Sequence, residues 1–154
     1  EDGIRDVHDE IGYNFRLTNI QAALGVAQLE QLPNILVRKK EIHSFYKSSI
    51  KEINGLDLSE VPDYSENNHW LNLLQIDSNI YGDDRESLMK RLEKNGIQTR
   101  PVWTLNHFQK PFRDCQNYKI ETSPTLFNKS LCLPSSTNLS SENLEYIINC
   151  LDHK

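Results

Sequence analysis

The sequence lacks an apolar run long enough to cross a membrane, and its charge is acidic rather than basic. The net charge of −5 argues against nucleic acid or an anionic membrane surface as the main partner, because both are negatively charged. Cysteine is scarce: its three residues lie far apart and form no Cys-x-x-Cys pair. This spacing argues against a zinc or redox site and predicts reduced, mostly buried thiols in a cytoplasmic protein.

Several motifs that mark particular chemistries are missing as well. The chain contains no Gly-x-Gly-x-x-Gly loop, no Walker loop and no Gly-x-Ser-x-Gly elbow. The five histidines show no metal-ligand spacing, and the string His8-Asp9-Glu10 is not interpreted as a metal site. The basic run Arg38-Lys39-Lys40 is interpreted as a solvated helix face. The 154 residues therefore have the composition of one globular domain.

A polar and aromatic string runs directly into the start of a helix. Thr18 and Gln21 have the spacing of a capping box, in which the hydroxyl and the amide bond each other's backbone N–H groups. The box fixes how Tyr13, Asn14 and Arg16 approach the helix. The simplest interpretation is a flank in which Asn14 bonds the backbone and Arg16 is solvated. A functional interpretation is also open, because an amide donor and a guanidinium group suit phosphate oxygens.

A second group of candidate residues follows a predicted strand that ends near Pro101. It contains the guanidinium of Arg100, the indole of Trp103 and the imidazole of His107. Such a mixture can bind an anionic ligand that carries a ring, through charge, stacking and hydrogen bonds. A packed Trp103 and a surface His107 explain the residues equally well.

The hydrophobic pattern predicts an α+β protein in which strands and helices alternate after two leading helices. The first helix runs from Thr18 to about Gln31, and Pro33 begins a second helix that reaches about Ile53. The shorter elements predicted are strands at 56–58, 69–76, 97–102 and 131–133 and a helix at 124–129.

Two further helices have recognisable ends. Asp83 and Glu86 are spaced to cap one of them, and Gly96 is placed to end it. Ser140 or Ser141 caps the last helix. Its single apolar face consists of Leu144, Ile147, Ile148 and Leu151.

The residue strings themselves resemble those of a known protein family. The string from Gly12 to Gly25 closely resembles a segment of the DegT/DnrJ/EryC1/StrS family, the pyridoxal-phosphate-dependent sugar aminotransferases. The string Thr99-Arg100-Pro101-Val102-Trp103, with a histidine shortly after it, resembles the family segment that lines the sugar-nucleotide side of the active site. Weaker resemblances, in the same order as in the family, lie at 27–32, 69–72 and 131–136. The resemblance is strongest to the branch that aminates UDP-linked 4-keto-6-deoxy-N-acetyl sugars, as in the bacillosamine and legionaminic acid pathways.

The resemblance implies roles for individual residues. Asn14 would reach across a homodimer interface to the phosphate of pyridoxal 5′-phosphate in the other subunit, and Arg16 would face the same phosphate region or the sugar nucleotide. Tyr13, Arg100, Trp103 and His107 would contact the nucleotide-linked sugar. The family's lysine, which binds the cofactor covalently, has no counterpart string here, so no residue is assigned to catalysis.

The resemblance also implies an architecture and a reaction. Residues 1–17 would form an irregular loop at the cofactor site, and 18–154 would form the small C-terminal domain of a fold-type-I aminotransferase, with a mainly antiparallel sheet covered by helices on one face. The large domain would lie outside this chain. The full enzyme would transfer an amino group from glutamate to C4 of a nucleotide-linked 4-keto-6-deoxy sugar, and this chain alone would be inactive. The alternatives are a non-catalytic dimerisation or regulatory module of the same fold and, less economically, an unrelated ligand-binding domain.

Overall fold

The computed structural model describes residues 10–152, so most of the predicted irregular lead-in, including His8 and Asp9, lies outside the described residues. The helices are α1 (Asn19–Ile50), α2 (Ser78–Tyr81), α3 (Arg85–Lys94), α4 (Thr122–Lys129) and α5 (Ser141–Leu151), with 3₁₀ turns at Asn106–Phe108 and Lys110–Phe112. The strands are β1 (Leu56–Leu58), β2 (Asn72–Ile76), β3 (Arg100–Pro101) and β4 (Ser130–Leu133). Within this part of the chain no helix has the length and apolar character needed to span a membrane.

The four strands form one antiparallel sheet in the order β1-β2-β4-β3. Residues paired across antiparallel strands share a face, so the register Leu58↔Leu74↔Leu131 defines an inner, apolar face. The pair Arg100↔Cys132 belongs to the opposite, outer face. Because side chains alternate between the two faces along a strand, Arg100 lies on the face that points away from the core.

The longer helices cover the inner face and close the core. Their buried residues are Ile42, Tyr46 and Ile50 from α1, Leu88 and Leu92 from α3, and Leu144, Ile147 and Leu151 from α5. These residues recur at helical spacing, which is why each helix presents one apolar stripe to the strands. The predicted α+β class and the small antiparallel sheet are confirmed.

The prediction of two leading helices is wrong, because α1 is one continuous helix with Pro33 inside it. Proline removes one N–H donor and crowds the preceding turn, at a cost of about 3 kcal/mol. The helical hydrogen bonds of a 32-residue helix on either side of Pro33 outweigh that local cost. The capping box of Thr18 and Gln21 is confirmed at the start of α1.

Three other element boundaries differ from the sequence predictions. Asp84, not Asp83, caps α3 by accepting from the backbone N–H of Ser87, while Asp83 forms an ion pair with Arg91. Strand β2 begins at Asn72 rather than 69, because His69 has a left-handed backbone. Strand β3 is limited to two residues, since proline cannot donate to a ladder. Gly96 has φ of 73° just after α3, as its predicted role in ending that helix requires.

The cysteines are only partly as expected. Cys132 is buried, Cys150 is half-buried and Cys115 is exposed, and none of the three forms a disulfide. Burial raises the pKa of the Cys132 thiol, which keeps it protonated. The prediction of mostly buried thiols therefore fails at Cys115, which lies in the irregular segment before α4.

Candidate functional site

A groove of about 390 Å³ opens on the outer side of the sheet, beside β3 and the ends of β2 and β4. Its lining residues are Trp70, Leu71, Gln98, Arg100, Pro101, Trp103, Cys132, Leu133, Pro134 and Ser135. Two of the predicted substrate-binding residues, Arg100 and Trp103, therefore meet in one cavity. Arg100 lies on the outer face of β3, and Trp103 lies two residues beyond the end of that strand.

The groove also contains an aromatic residue that the sequence analysis placed inside a strand. Trp70 lies before β2 and packs its ring against that of Trp103, with 5.8 Å between ring centroids and an interplanar angle of 40°. Both indoles remain more than half exposed, at 62% for Trp70 and 51% for Trp103. A second tryptophan next to a turn-forming Asn67-Asn68 pair is the sequence signal that identifies Trp70 as a surface residue.

The far rim of the groove is held by residues of α1. Lys39 donates to the backbone carbonyl and hydroxyl of Ser135 and approaches the carbonyl of Trp70 at 3.4 Å. Tyr46 donates its hydroxyl to the carbonyl of Pro134 at 2.9 Å, and burial raises the pKa of Tyr46, which keeps that donor protonated. The rim is therefore fixed to the hydrophobic core.

The interpretation of the basic run in α1 as a solvated face is wrong for two of its three residues. Arg38 donates to the carbonyl of Leu139 at 2.5 Å, and Lys39 donates to Ser135. Burial lowers the pKa of Lys39. Lys40 is the exposed member of the run. Only the tertiary fold brings the loop before α5 within reach of these side chains.

His69, which precedes Trp70 in the chain, stacks on a second histidine. The rings of His43 and His69 lie 3.9 Å apart, and Nδ1 of His43 lies 2.9 Å from Oδ1 of the buried Asn72. Burial, followed by the charges of His43 and Lys40, lowers the pKa of His69. The described residues contain no cluster of three potential ligands that would suit a metal ion.

The lowered pKa of His69 predicts that the stability of the fold depends on pH. Because the folded-state pKa of His69 lies below its usual 6.5, the unfolded chain binds the proton more strongly. Stability should therefore fall as the pH drops below about 6.5 and level off below the folded-state pKa. We expect His69→Asn, which tolerates the left-handed backbone, to lose less stability than wild type between pH 7 and pH 5 in urea titrations. An identical pH dependence of the two proteins would remove His69 as the source.

His107 does not lie in this groove. It packs its ring on that of Phe108, with 4.3 Å between centroids. It faces a separate cavity of about 390 Å³, lined by Asn106, His107, Phe112, Cys115, Gln116, Asn117, Tyr118 and Ile120. Arg100 and Trp103 are thus brought together, whereas His107 is displaced by the 3₁₀ turn that follows them.

The predicted cofactor residues lie in the irregular segment that precedes α1. Asn14 Oδ1 accepts from the backbone N–H of Arg16 at 2.8 Å, and Arg16 has a left-handed φ of 68°. This turn occupies the amide oxygen of Asn14 and leaves its NH₂ group to donate. Tyr13 is 86% exposed beside it.

An apolar surface accompanies this segment. Every residue from 10 to 34 is exposed. The large hydrophobic side chains among them are Ile11, Tyr13, Phe15, Leu17, Ile20, Leu24, Val26, Leu29 and Leu32. Apolar exposure on this scale is typical of a surface that another polypeptide covers.

Comparison with known proteins agrees with the fold and the motifs. The model of the DegT/DnrJ/EryC1/StrS aminotransferase family matches residues 2–152. EpsN of Bacillus subtilis (strain 168), provisionally named a pyridoxal phosphate-dependent aminotransferase, is 31% identical over 99% of this chain and 40% of its own length. GDP-perosamine synthase of Escherichia coli O157:H7 is 34% identical over 94% of this chain and 38% of its own length.

A solved structure shows the same fold. DesI, crystallised in the presence of its TDP-sugar product, superposes with a TM-score of 0.82 at 23% identity, over 91% of this chain and 36% of DesI. The chain thus spans about 40% of the length of EpsN and 38% of the length of GDP-perosamine synthase. Because the family model covers nearly all of its residues, this chain belongs to the DegT/DnrJ/EryC1/StrS aminotransferase family.

Proposed function

We propose that this chain is the C-terminal portion of a pyridoxal-phosphate-dependent aminotransferase that moves an amino group from glutamate to C4 of a nucleotide-linked 4-keto-6-deoxy sugar. The observation that carries the proposal is the groove in which Arg100 and Trp103 meet. Residues 1–17 would serve the cofactor site, and 18–154 would form the small domain. The relatives support the substrate class, since GDP-perosamine synthase and DesI are both described with a nucleotide-linked sugar.

The groove has the chemistry that such a substrate needs. The guanidinium of Arg100 can form charge-assisted hydrogen bonds to diphosphate oxygens, while the indole of Trp103 offers a flat apolar surface to a ring. The role of this domain is to bind and orient the sugar nucleotide. His107, which lines the separate cavity, would contact a more distant part of the same substrate.

The segment before α1 fits the phosphate of pyridoxal 5′-phosphate. Asn14 offers amide N–H donors and Arg16 offers a cation, which together suit a dianionic phosphate. When bound, the cofactor carries the amino group between the two substrates. Asn14 and Arg16 would hold it in place, and Tyr13 would contact the sugar nucleotide. None of the three takes part in the transfer itself.

We further propose a homodimer in which this segment serves the partner subunit's cofactor site. Its support is the exposed apolar surface over residues 11–32, a range that includes Asn14 and Arg16. Covering such a surface is favourable by roughly 25 cal/mol per Å² of apolar area removed from water. The same surface suits the alternative, a non-catalytic dimerisation or regulatory module.

A reconstitution assay tests the proposed activity. The complete gene product that contains this sequence would be incubated with pyridoxal phosphate, glutamate and a UDP-linked 4-keto-6-deoxy-N-acetyl sugar. We expect 2-oxoglutarate and an aminated sugar nucleotide, detected by mass spectrometry. Absence of both products, with a gene that encodes no cofactor-binding lysine, would favour the non-catalytic module.

Two variants of the groove locate the sugar-nucleotide site. We expect Arg100→Met or Trp103→Ala to raise the KM for the sugar nucleotide about tenfold, since each removes roughly 1–2 kcal/mol of binding, with little effect on the KM for glutamate. Arg113→Met is the matched control, because Arg113 is exposed and lies outside the lining of the groove. Equal changes in both KM values would indicate a general disturbance of the active site instead of a lost contact with the sugar nucleotide.

A further inference from the structure

We propose that Trp70 is a further ligand-binding residue of this groove and that a nucleobase stacks against the indoles of Trp70 and Trp103 while the attached diphosphate lies at Arg100. The ligand class is a nucleoside diphosphate. The inference rests on the proposed function for its physiological ligand, although binding can be measured without any amino transfer.

The first argument is the exposure of the indoles. The sequence has two tryptophans, and both lie in this groove. Trp70 is 62% exposed and Trp103 is 51% exposed, although large aromatic side chains gain most from burial. Each exposed indole presents a flat apolar face of the kind on which any nucleobase can stack.

The second argument is that the backbone holds Trp70 in a defined place. The side chains of Asn67 and Asn68 accept from the backbone N–H groups of His69 and Trp70 at 2.9 and 3.0 Å. His69 has a left-handed φ of 49° and is stacked on His43. The hydroxyl of Ser135 donates to the carbonyl of Trp70 at 2.6 Å.

The hydrogen bonds and the left-handed backbone that hold Trp70 lower the entropic cost of binding a ligand there. A left-handed conformation at a non-glycine residue costs about 1–3 kcal/mol and persists only where its surroundings enforce it. Because the backbone of Trp70 is already held by its neighbours, the protein would lose less conformational entropy when a ligand binds there. The fixed backbone at Trp70 is therefore suited to binding a ligand.

The third argument is charge. The chain has a net charge of −5, yet the described residues that line the groove include Arg100 and no acidic side chain. The amino group of Lys39 adds a second positive charge behind Ser135. A ligand that enters the groove thus meets the guanidinium of Arg100 and the indole surface within one lining, with no acidic side chain among its described residues.

Calorimetric titration of the complete gene product separates stacking from charge. The probes are UDP and inorganic pyrophosphate, and the variants are Trp70→Ala, Trp70→Phe and Arg100→Met. We expect Trp70→Ala to weaken UDP binding about tenfold, the scale of one base stacked on an aromatic ring, and to leave pyrophosphate binding unchanged. Trp70→Phe should retain most of the UDP affinity, and Arg100→Met should weaken both probes. Tyr64→Ala, at a 92% exposed aromatic outside the groove lining, is the matched control.

The outcomes separate this inference from the proposed function. Unchanged UDP binding by Trp70→Ala, equal weakening of UDP and pyrophosphate by that variant, or no UDP binding by wild type would each overturn the role of Trp70. Amino transfer combined with Trp70-independent UDP binding would reject the inference and keep the function. Trp70-dependent UDP binding without amino transfer would do the reverse.

Discussion

Replacing Asn14 by alanine is expected to weaken pyridoxal phosphate binding by the complete gene product about 10- to 100-fold, the scale of one hydrogen bond to a charged group. Asn14 uses its amide oxygen to accept from the backbone of Arg16, and its amide nitrogen remains to donate. A phosphate oxygen would therefore lose a donor in the variant. The dissociation constant would be measured by following cofactor absorbance during titration of the apoprotein.

A second variant distinguishes a lost donor from a disturbed turn. Asn14→Asp keeps the oxygen that accepts from Arg16 but places a negative charge where the donor was. We expect it to bind the cofactor at least as weakly as Asn14→Ala. Recovery of affinity in Asn14→Asp would mean that only the turn matters. Asn34→Ala, at an exposed asparagine of α1, is the matched control and should bind normally.

Replacing Gly55 by alanine is expected to lower the free energy of unfolding of this chain by about 3–5 kcal/mol, through backbone strain and a steric clash together. Gly55 has φ of 82°, and a Cβ atom there would lie 2.5 Å from the backbone nitrogen of Tyr81 and 2.8 Å from its Cβ. Tyr81 cannot move away easily, because its hydroxyl donates to the carbonyl of Leu151 and accepts from Arg91, both at 2.5 Å.

The structure supplies a control for the backbone strain alone. Gly82 has φ of 95° but has no atom within 4 Å of the position that a Cβ would occupy. We expect Gly82→Ala to cost about 1 kcal/mol, because only the left-handed conformation is penalised. Both variants would be compared by urea unfolding followed by circular dichroism. Equal losses at Gly55 and Gly82 would show that the close approach to Tyr81 contributes nothing.

The sequence by itself determined the features that depend on neighbouring residues. The capping box at Thr18 forms as its spacing indicates, and Ser140, one of the two serines predicted to cap the last helix, is its N-cap. Each cap needs only a side chain and a backbone N–H three residues away. The apolar face of α5 and the left-handed Gly96 follow from equally local rules. The sequence also sufficed to recognise the family, because the resemblance extends along nearly the whole chain and the family model matches residues 2–152.

Only the tertiary structure decided how distant segments combine. Pro33 continues a helix, and Asp83 serves an ion pair with Arg91 instead of a cap, because long-range packing outweighs local preference. Trp70 meets Trp103 across a gap of 33 positions in the chain, and Lys39 reaches Ser135 across 96, so no spacing rule could have joined them. The separation of His107 from the groove likewise depends on how the backbone turns after β3, which is a property of the packed fold.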